Sequence, residues 1–278
     1  MVPGVGDPKR AKGAYGLEVV GLPAQGLLVP VQRARWPLVR FTHETAADGA
    51  DRTKLGSDVA IIGLGGGEHA RLDRRRRSVV LATRAGPNDG RLVHPFLGSV
   101  GAVFAWWHGH LAFHGGAAVT GDGAWAVLGE RGRGKSSLLA GLAAAGCGVL
   151  TDDVLVVTGG TALAGPRCID LRPEAVAELG LQDRTENVRG GTRKRLELGP
   201  VAAEVPLRGW VDLSWGSELE LRRLDVAERL QGLAANVQGL HHDRLLGLAA
   251  LPAWRLARPR DWQSAEVAIE MLLDLWGV

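Results

Sequence analysis

The sequence is poor in tyrosine, phenylalanine and cysteine, with one, four and two of them in 278 residues. Cys147 and Cys168 lie too far apart for a metal knuckle and no His/Cys cluster accompanies them, which excludes zinc-finger chemistry and leaves two buried thiols. No apolar run approaches the ~20 residues of a membrane-spanning helix. Residues 1–16 carry Lys9, Arg10 and Lys12 with no apolar stretch after them, unlike a secretory signal or an anchor. A soluble, cytoplasmic protein is expected. An excess of charge of one sign is lacking too: 33 basic and 30 acidic residues leave a net charge of +3, which makes no field that argues for nucleic acid or an anionic membrane. With 46% apolar and 23% charged residues, the chain has the balance of a globular protein. Its length suits one large domain or a small one joined to a larger.

Glycine, by contrast, is plentiful at 40 residues, most of them between apolar runs, where they mark turns. Short segments at 16–21, 27–31, 39–41, 59–64 and 78–83, most rich in β-branched residues, predict a small β-rich N-terminal region over 1–91. From 92 the pattern changes. Leu97, Val100, Val103, Phe104 and Trp107 recur as one face of a buried helix. Strands are expected at 111–114 and 125–128, joined by the Gly121-Asp122-Gly123 turn, then a helix over 137–145 and a strand over 148–157 interrupted by two acids. An amphipathic helix over 264–275, N-capped by Ser264, ends the chain. The fold class expected is α/β with a mixed sheet, its second unit spanning 92–278.

Residues 129–136, from Gly129 to Lys135 and Ser136, satisfy G-x-x-x-x-G-K-[ST] between an expected strand and an expected helix, the context that motif needs. Glycines let consecutive backbone N–H groups face a phosphate, and the helix adds its positive N-terminal end. Gly129, Gly132, Arg133, Gly134, Lys135, Ser136 and Ser137 are therefore the nucleotide-binding candidates, with ATP and Mg²⁺ as the cofactors. Lys135 would reach the β- and γ-phosphates and Ser136 would place its hydroxyl on Mg²⁺. Arg131 and Arg133 either add charge there or face solvent.

Asp152 and Asp153 follow Ser136 by 16 and 17 positions. One helix and one returning strand bring them back beside the loop, because parallel strands end at the same sheet edge as the helix N-terminus. Two carboxylates there allow a division of labour: one holds the metal, the other takes the proton of an attacking hydroxyl.

Through His94-Pro95-Phe96-Leu97, His114-Gly115-Gly116, the glycine loop and Thr151-Asp152-Asp153, residues 92–160 resemble the catalytic core of the HPr kinase/phosphorylase family. The closer likeness is to the small HPr-kinase-like proteins found with biosynthesis of ribosomally made peptides, including lasso peptides. The resemblance implies a P-loop kinase core of HPr-kinase type that transfers the ATP γ-phosphoryl group to a serine hydroxyl of a peptide or small protein. It implies Asp152 as catalytic acid/base, Asp153 as the partner acid at the metal with Ser136, and His114 as the catalytic-site histidine preceding the loop. The chain departs from the family at Arg131, where a serine is frequent, and at Ser137, where HPr-specific enzymes usually carry an acid.

After Gly190-Gly191, the cations Arg193, Lys194 and Arg195 fit a hinge closing on the transferring phosphoryl, with Lys194 and Arg195 on the nucleotide, or else a solvated charge run. Residues 74–77 are four arginines, an exposed edge or a dock for an acidic peptide. The nine tryptophans could stack on a carbohydrate or a base, but most are isolated in apolar runs and read as core, and His241-His242-Asp243 reads as surface. A nucleotide-gated switch without transfer and a kinase for a small alcohol are the alternative functions. Preference for ATP over other triphosphates, a reverse phosphorylase reaction and homo-oligomerisation stay open.

Overall fold

The computed structural model describes residues 10–23, 25–46, 53–84, 86, 89–239 and 244–278. The N-terminal part is an eight-stranded sheet in the order Val29–Gln32, Arg10–Ala14, Leu17–Val20, Leu38–Thr45, Ser78–Thr83, Glu68–Asp73, Val59–Gly65, Lys54–Leu55. Glu68–Asp73 escapes a hydrophobic pattern because its inward face is Glu68, Ala70 and Leu72. Glu68 is buried against Arg91, which donates to it at 2.8 and 3.2 Å.

A ten-stranded mixed sheet follows, bent into two halves that share the strand Glu204–Trp215. One half runs Gly148–Thr151, Gly116–Val119, Ala124–Leu128, Glu204–Trp215, Ala253–Arg258, Glu220–Arg223, with the third, fourth and fifth parallel. The other half pairs the start of the shared strand with Thr161–Leu163, then Val154–Thr158, Leu111–His114 and Val237–Gln238. A three-stranded sheet of Cys168–Leu171, Arg193–Glu197 and Thr185–Val188 stands beside it. The helices are α1 (Phe96–Trp107), α2 (Lys135–Ala144), α3 (Pro173–Glu178), α4 (Val226–Asn236), α5 (Leu245–Ala249) and α6 (Trp262–Trp276). None among the described residues is long and apolar enough to cross a membrane. The chain is thus a mixed α/β protein with a β-rich N-terminal region.

Two expectations are corrected. The Gly121–Gly123 turn joins Gly116–Val119, not Leu111–His114, to Ala124–Leu128. The chain changes sheet halves at Gly115 and Gly116, where a Cβ on Gly116 would lie 2.6 Å from the Thr151 carbonyl and 2.4 Å from Leu139. The cap of α6 is Asp261, whose carboxylate accepts from the Ser264 amide at 2.7 Å and its hydroxyl at 3.0 Å.

One continuous apolar core links the N-terminal sheet, α1 and the central sheet. Tyr15, the sole tyrosine and fully buried, enters it from the N-terminal sheet. Glycines make room for its ring: a Cβ on Gly101 would lie 2.7 Å from it and one on Gly165 2.9 Å. A second core packs α2 through Leu138, Leu139 and Leu142 against Ile269 and Leu272 of α6.

Candidate functional site

The buried strand Ala124–Leu128 ends at Gly129, from which a loop leads into α2. Gly129, Gly132 and Gly134 take φ of 133°, 87° and 85°, a region that favours residues without a Cβ. Gly129 has a second reason: a Cβ there would meet the Leu213 carbonyl at 2.7 Å. Its N–H donates to Asn236 Oδ1 at 3.1 Å. Lys135, buried at the start of α2, folds back to donate its ammonium to the carbonyls of Gly129 at 2.5 Å and Glu130 at 3.0 Å. Burial lowers its pKa, opposed by Asp152 and Asp153. Arg133 pairs with Glu130 at 2.6 Å, and Arg131 lines the cavity in front of the loop.

The acids arrive by the returning strand. Gly148–Thr151 runs parallel to Ala124–Leu128 with Gly116–Val119 between them, so both reach the same edge. Leu111–Val119 and Gly148–Thr158 change sheet halves side by side, and the bend falls at Gly115 on one chain segment and at Asp152 and Asp153 on the other. The Gly115 amide donates to the Asp153 carbonyl at 3.2 Å, and Asp153 takes φ 69° to make the bend.

Ser136 Oγ donates to Asp152 Oδ1 at 3.0 Å. Asp152 is 3% exposed, and burial, reinforced by the charge of Asp153, pushes its pKa up to about 7. Asp153 is more open and lies 3.5 Å from His114 Nδ1. Burial and then Lys135 lower the pKa of His114, which keeps its ring neutral at pH 7. The carboxylate in contact with Ser136 is therefore Asp152, whereas the expected metal pair was Ser136 with Asp153. A Mg²⁺ that also binds phosphate oxygens needs only one or two protein carboxylates, and this set of hard oxygens fits it.

The basic segment divides. Arg195 is buried and donates to both oxygens of Asp170 at 2.7 and 3.0 Å, with further bonds to the carbonyls of Gly90 at 3.2 Å and His94 at 3.3 Å. Its direction follows from strand register, since it lies directly across from Asp170. Arg189 reaches the same carboxylate at 2.9 Å. The structure does not bring Arg195 or Lys194 to the glycine loop; Arg189 and Arg193 line the cavity instead, with Arg172. Arg74–Arg77 forms an exposed turn in which Arg75 pairs with Asp58 and Arg76 with Asp73. Cys147 and Cys168 are buried and free. His241, His242 and Asp243 lie outside the described residues.

The cavity holds about 600 Å³ and brings Lys135, Ser136, Ser137, Asp152, Asp153 and His114 together. Its far end is built by residues that the sequence pattern did not single out: Trp215 at the end of the shared strand, and Arg258, Arg260 and Trp262 where Ala253–Arg258 passes into α6. The available signal was the run Arg258-Pro259-Arg260-Asp261-Trp262 directly after a strand. A cleft with a glycine loop, a buried lysine, two acids and a rim of guanidinium groups is suited to a polyanion and a metal.

Fold and site together define an α/β protein with a glycine-rich strand–loop–helix at the edge of a mixed sheet. No protein-family model matches the chain. No curated protein matches it. Among solved structures, the Hpr(Ser) kinase/phosphatase from Coxiella burnetii is similar over 59% of this chain and 94% of the other, at 14% identity and a TM-score of 0.32.

Proposed function

We propose that this chain is a cytoplasmic, Mg²⁺-dependent phosphotransferase that moves the γ-phosphoryl group of ATP to a serine hydroxyl of a peptide or small protein. The observation that carries the proposal is Asp152: a buried carboxylate with pKa about 7, bonded to the Ser136 hydroxyl at the mouth of the glycine loop. A base working near neutrality needs a proton affinity of that order. Asp152 takes the proton of the attacking hydroxyl as its oxygen bonds to the γ-phosphorus and the β–γ bridge breaks, leaving ADP. Lys135, free to exchange two loop carbonyls for phosphate oxygens, and the loop amides offset the negative charge. Mg²⁺, when bound, would supply further charge neutralisation, and the hydroxyl of Ser136 would help to hold it. The resemblance of the sequence motifs to HPr-kinase-like proteins found with ribosomal-peptide biosynthesis makes a serine in such a peptide the first acceptor to try.

A second reading follows from the 3.0 Å contact of Ser136 with Asp152: these two hold the metal, and Asp153, beside neutral His114, takes the proton. The two separate in Asp→Asn variants assayed for phosphopeptide by mass spectrometry and for Mg²⁺-dependent ATP binding by calorimetry. In the first reading Asp152→Asn loses transfer by about 10²-fold or more and keeps Mg²⁺-assisted binding. In the second it loses that assistance, and Asp153→Asn is the variant that binds without transferring. Full transfer by both variants would refute a carboxylate base at this bend.

A further inference from the structure

The end of the cavity away from the acids holds chemistry that phosphoryl transfer leaves unused. On one side of Ala124–Leu128 lies the acid-bearing strand; on the other lie the parallel strands Glu204–Trp215 and Ala253–Arg258. Parallel strands deliver their C-terminal residues to one edge. Trp215 and Arg258 therefore meet the glycine loop from the side opposite Asp152. A triphosphate whose γ end faces the acids has its nucleoside on that opposite side.

The Arg258 guanidinium lies 4.6 Å from the centroid of the Trp215 ring, and that of Arg260 5.9 Å. Both Arg258 and Trp215 press on the loop: a Cβ on Gly134 would lie 2.7 Å from Arg258 Nη2 and 3.4 Å from Trp215 Cη2. Arg258 is 5% exposed, yet its bonds are two long ones, to the carbonyls of Pro259 and Asp261 at 3.4 Å. Among the described residues no carboxylate comes within ion-pair distance of it, and Asp261 attracts it only from farther away. The nearby Asp261 directs both oxygens to Ser264 at the start of α6. A buried cation held this loosely is poised for an added anionic or π partner. Trp262 closes the same end of the cavity.

We infer that Trp215, Arg258, Arg260 and Trp262 form the seat of the nucleoside, with the base stacked on their aromatic and guanidinium planes and Arg258 between base and loop-bound phosphates. Every base has a π face, and the carboxylate at this end is engaged in capping α6, so the seat holds adenine and guanine alike. The inference rests on the reading of the glycine loop as a triphosphate cradle, and the experiment separates the two. Calorimetry with Mg²⁺ compares ATP, GTP and inorganic tripolyphosphate on the native chain and on Trp215→Leu, Trp262→Ala and Trp262→Phe. ATP and GTP are expected within about threefold of each other. Trp215→Leu and Trp262→Ala weaken both by about 5- to 100-fold, the range of one lost base–aromatic stack. Tripolyphosphate binding stays within about twofold in every variant, and Trp262→Phe recovers most of the ATP affinity. Unchanged ATP binding in both truncated variants, an equal loss for tripolyphosphate, or a tenfold preference for one base overturns the seat while sparing the cradle. A native chain that binds no tripolyphosphate overturns both.

Discussion

Replacing Asp152 with Asn should make the protein more stable in alkaline buffer while disabling it. The side chain is 3% exposed and its pKa stands at about 7 in place of the ordinary 3.8. Below pH ~4 the folded and unfolded chains both carry the proton. Between pH ~4 and 7 the unfolded chain releases it and the folded chain retains it, so stability falls as pH rises; above 7 the deficit is constant. The separation is about three pH units at about 1.4 kcal/mol each, an upper figure of ~4 kcal/mol, which local relaxation trims to about 2–4 kcal/mol. Asn is uncharged, and its Oδ1 still accepts the Ser136 hydroxyl at the position that Asp152 Oδ1 occupies. Differential scanning calorimetry at pH 4, 6 and 8, without nucleotide or Mg²⁺, should show Asp152→Asn melting about 4–12 °C above the native chain at pH 8, a smaller gap at pH 6 and almost none at pH 4. An Asn variant no more stable than the native chain at pH 8, or a gap that does not shrink on acidification, refutes the claim that burial sets this carboxyl's proton affinity.

Two further outcomes test the supports of the site. Arg195→Met leaves Asp170 with Arg189 alone in a buried setting and should cost about 3–5 kcal/mol in urea unfolding, less when combined with Asp170→Asn. Gly101→Ala drives a Cβ to within 2.7 Å of the Tyr15 ring and should cost about 1–3 kcal/mol by thermal melting, a loss largely relieved in a Tyr15→Ala background.

The glycine loop and the two acids were legible because their signals are local: a fixed spacing, a strand before, a helix after. The direction of Arg195 was not, since a strand's side chains alternate and only the register with Asp170 decides which cations of Arg193–Glu197 turn inward. The shared strand Glu204–Trp215 was hidden by Pro206 and Gly209, which argue against a central strand. Pro206 stands where pairing passes from Thr161–Leu163 to Ala124–Leu128, and Gly209 leaves room for the Trp125 ring, 2.2 Å from where its Cβ would be. Asp225 and Glu228 form the capping box that opens α4, a local signal that the sequence carries. Trp215 and Trp262 looked like core residues; parallel strand order alone carries Trp215 to the loop from 80 positions downstream.

The shared strand also decides how the molecule comes apart. Trp210, Val211 and Asp212 are paired on one flank with Ala126, Val127 and Leu128 and on the other with Ala253, Trp254 and Arg255. Four positions earlier, Pro206 is already bound into the other half of the sheet. Successive amides in the middle of such a strand bond to opposite flanks, so exchange of all of them with solvent requires both neighbours to release it. The floor of the glycine loop, the strand bearing Trp215 and the junction of the two sheet halves thus belong to one cooperative unit, and local opening is left to the periphery.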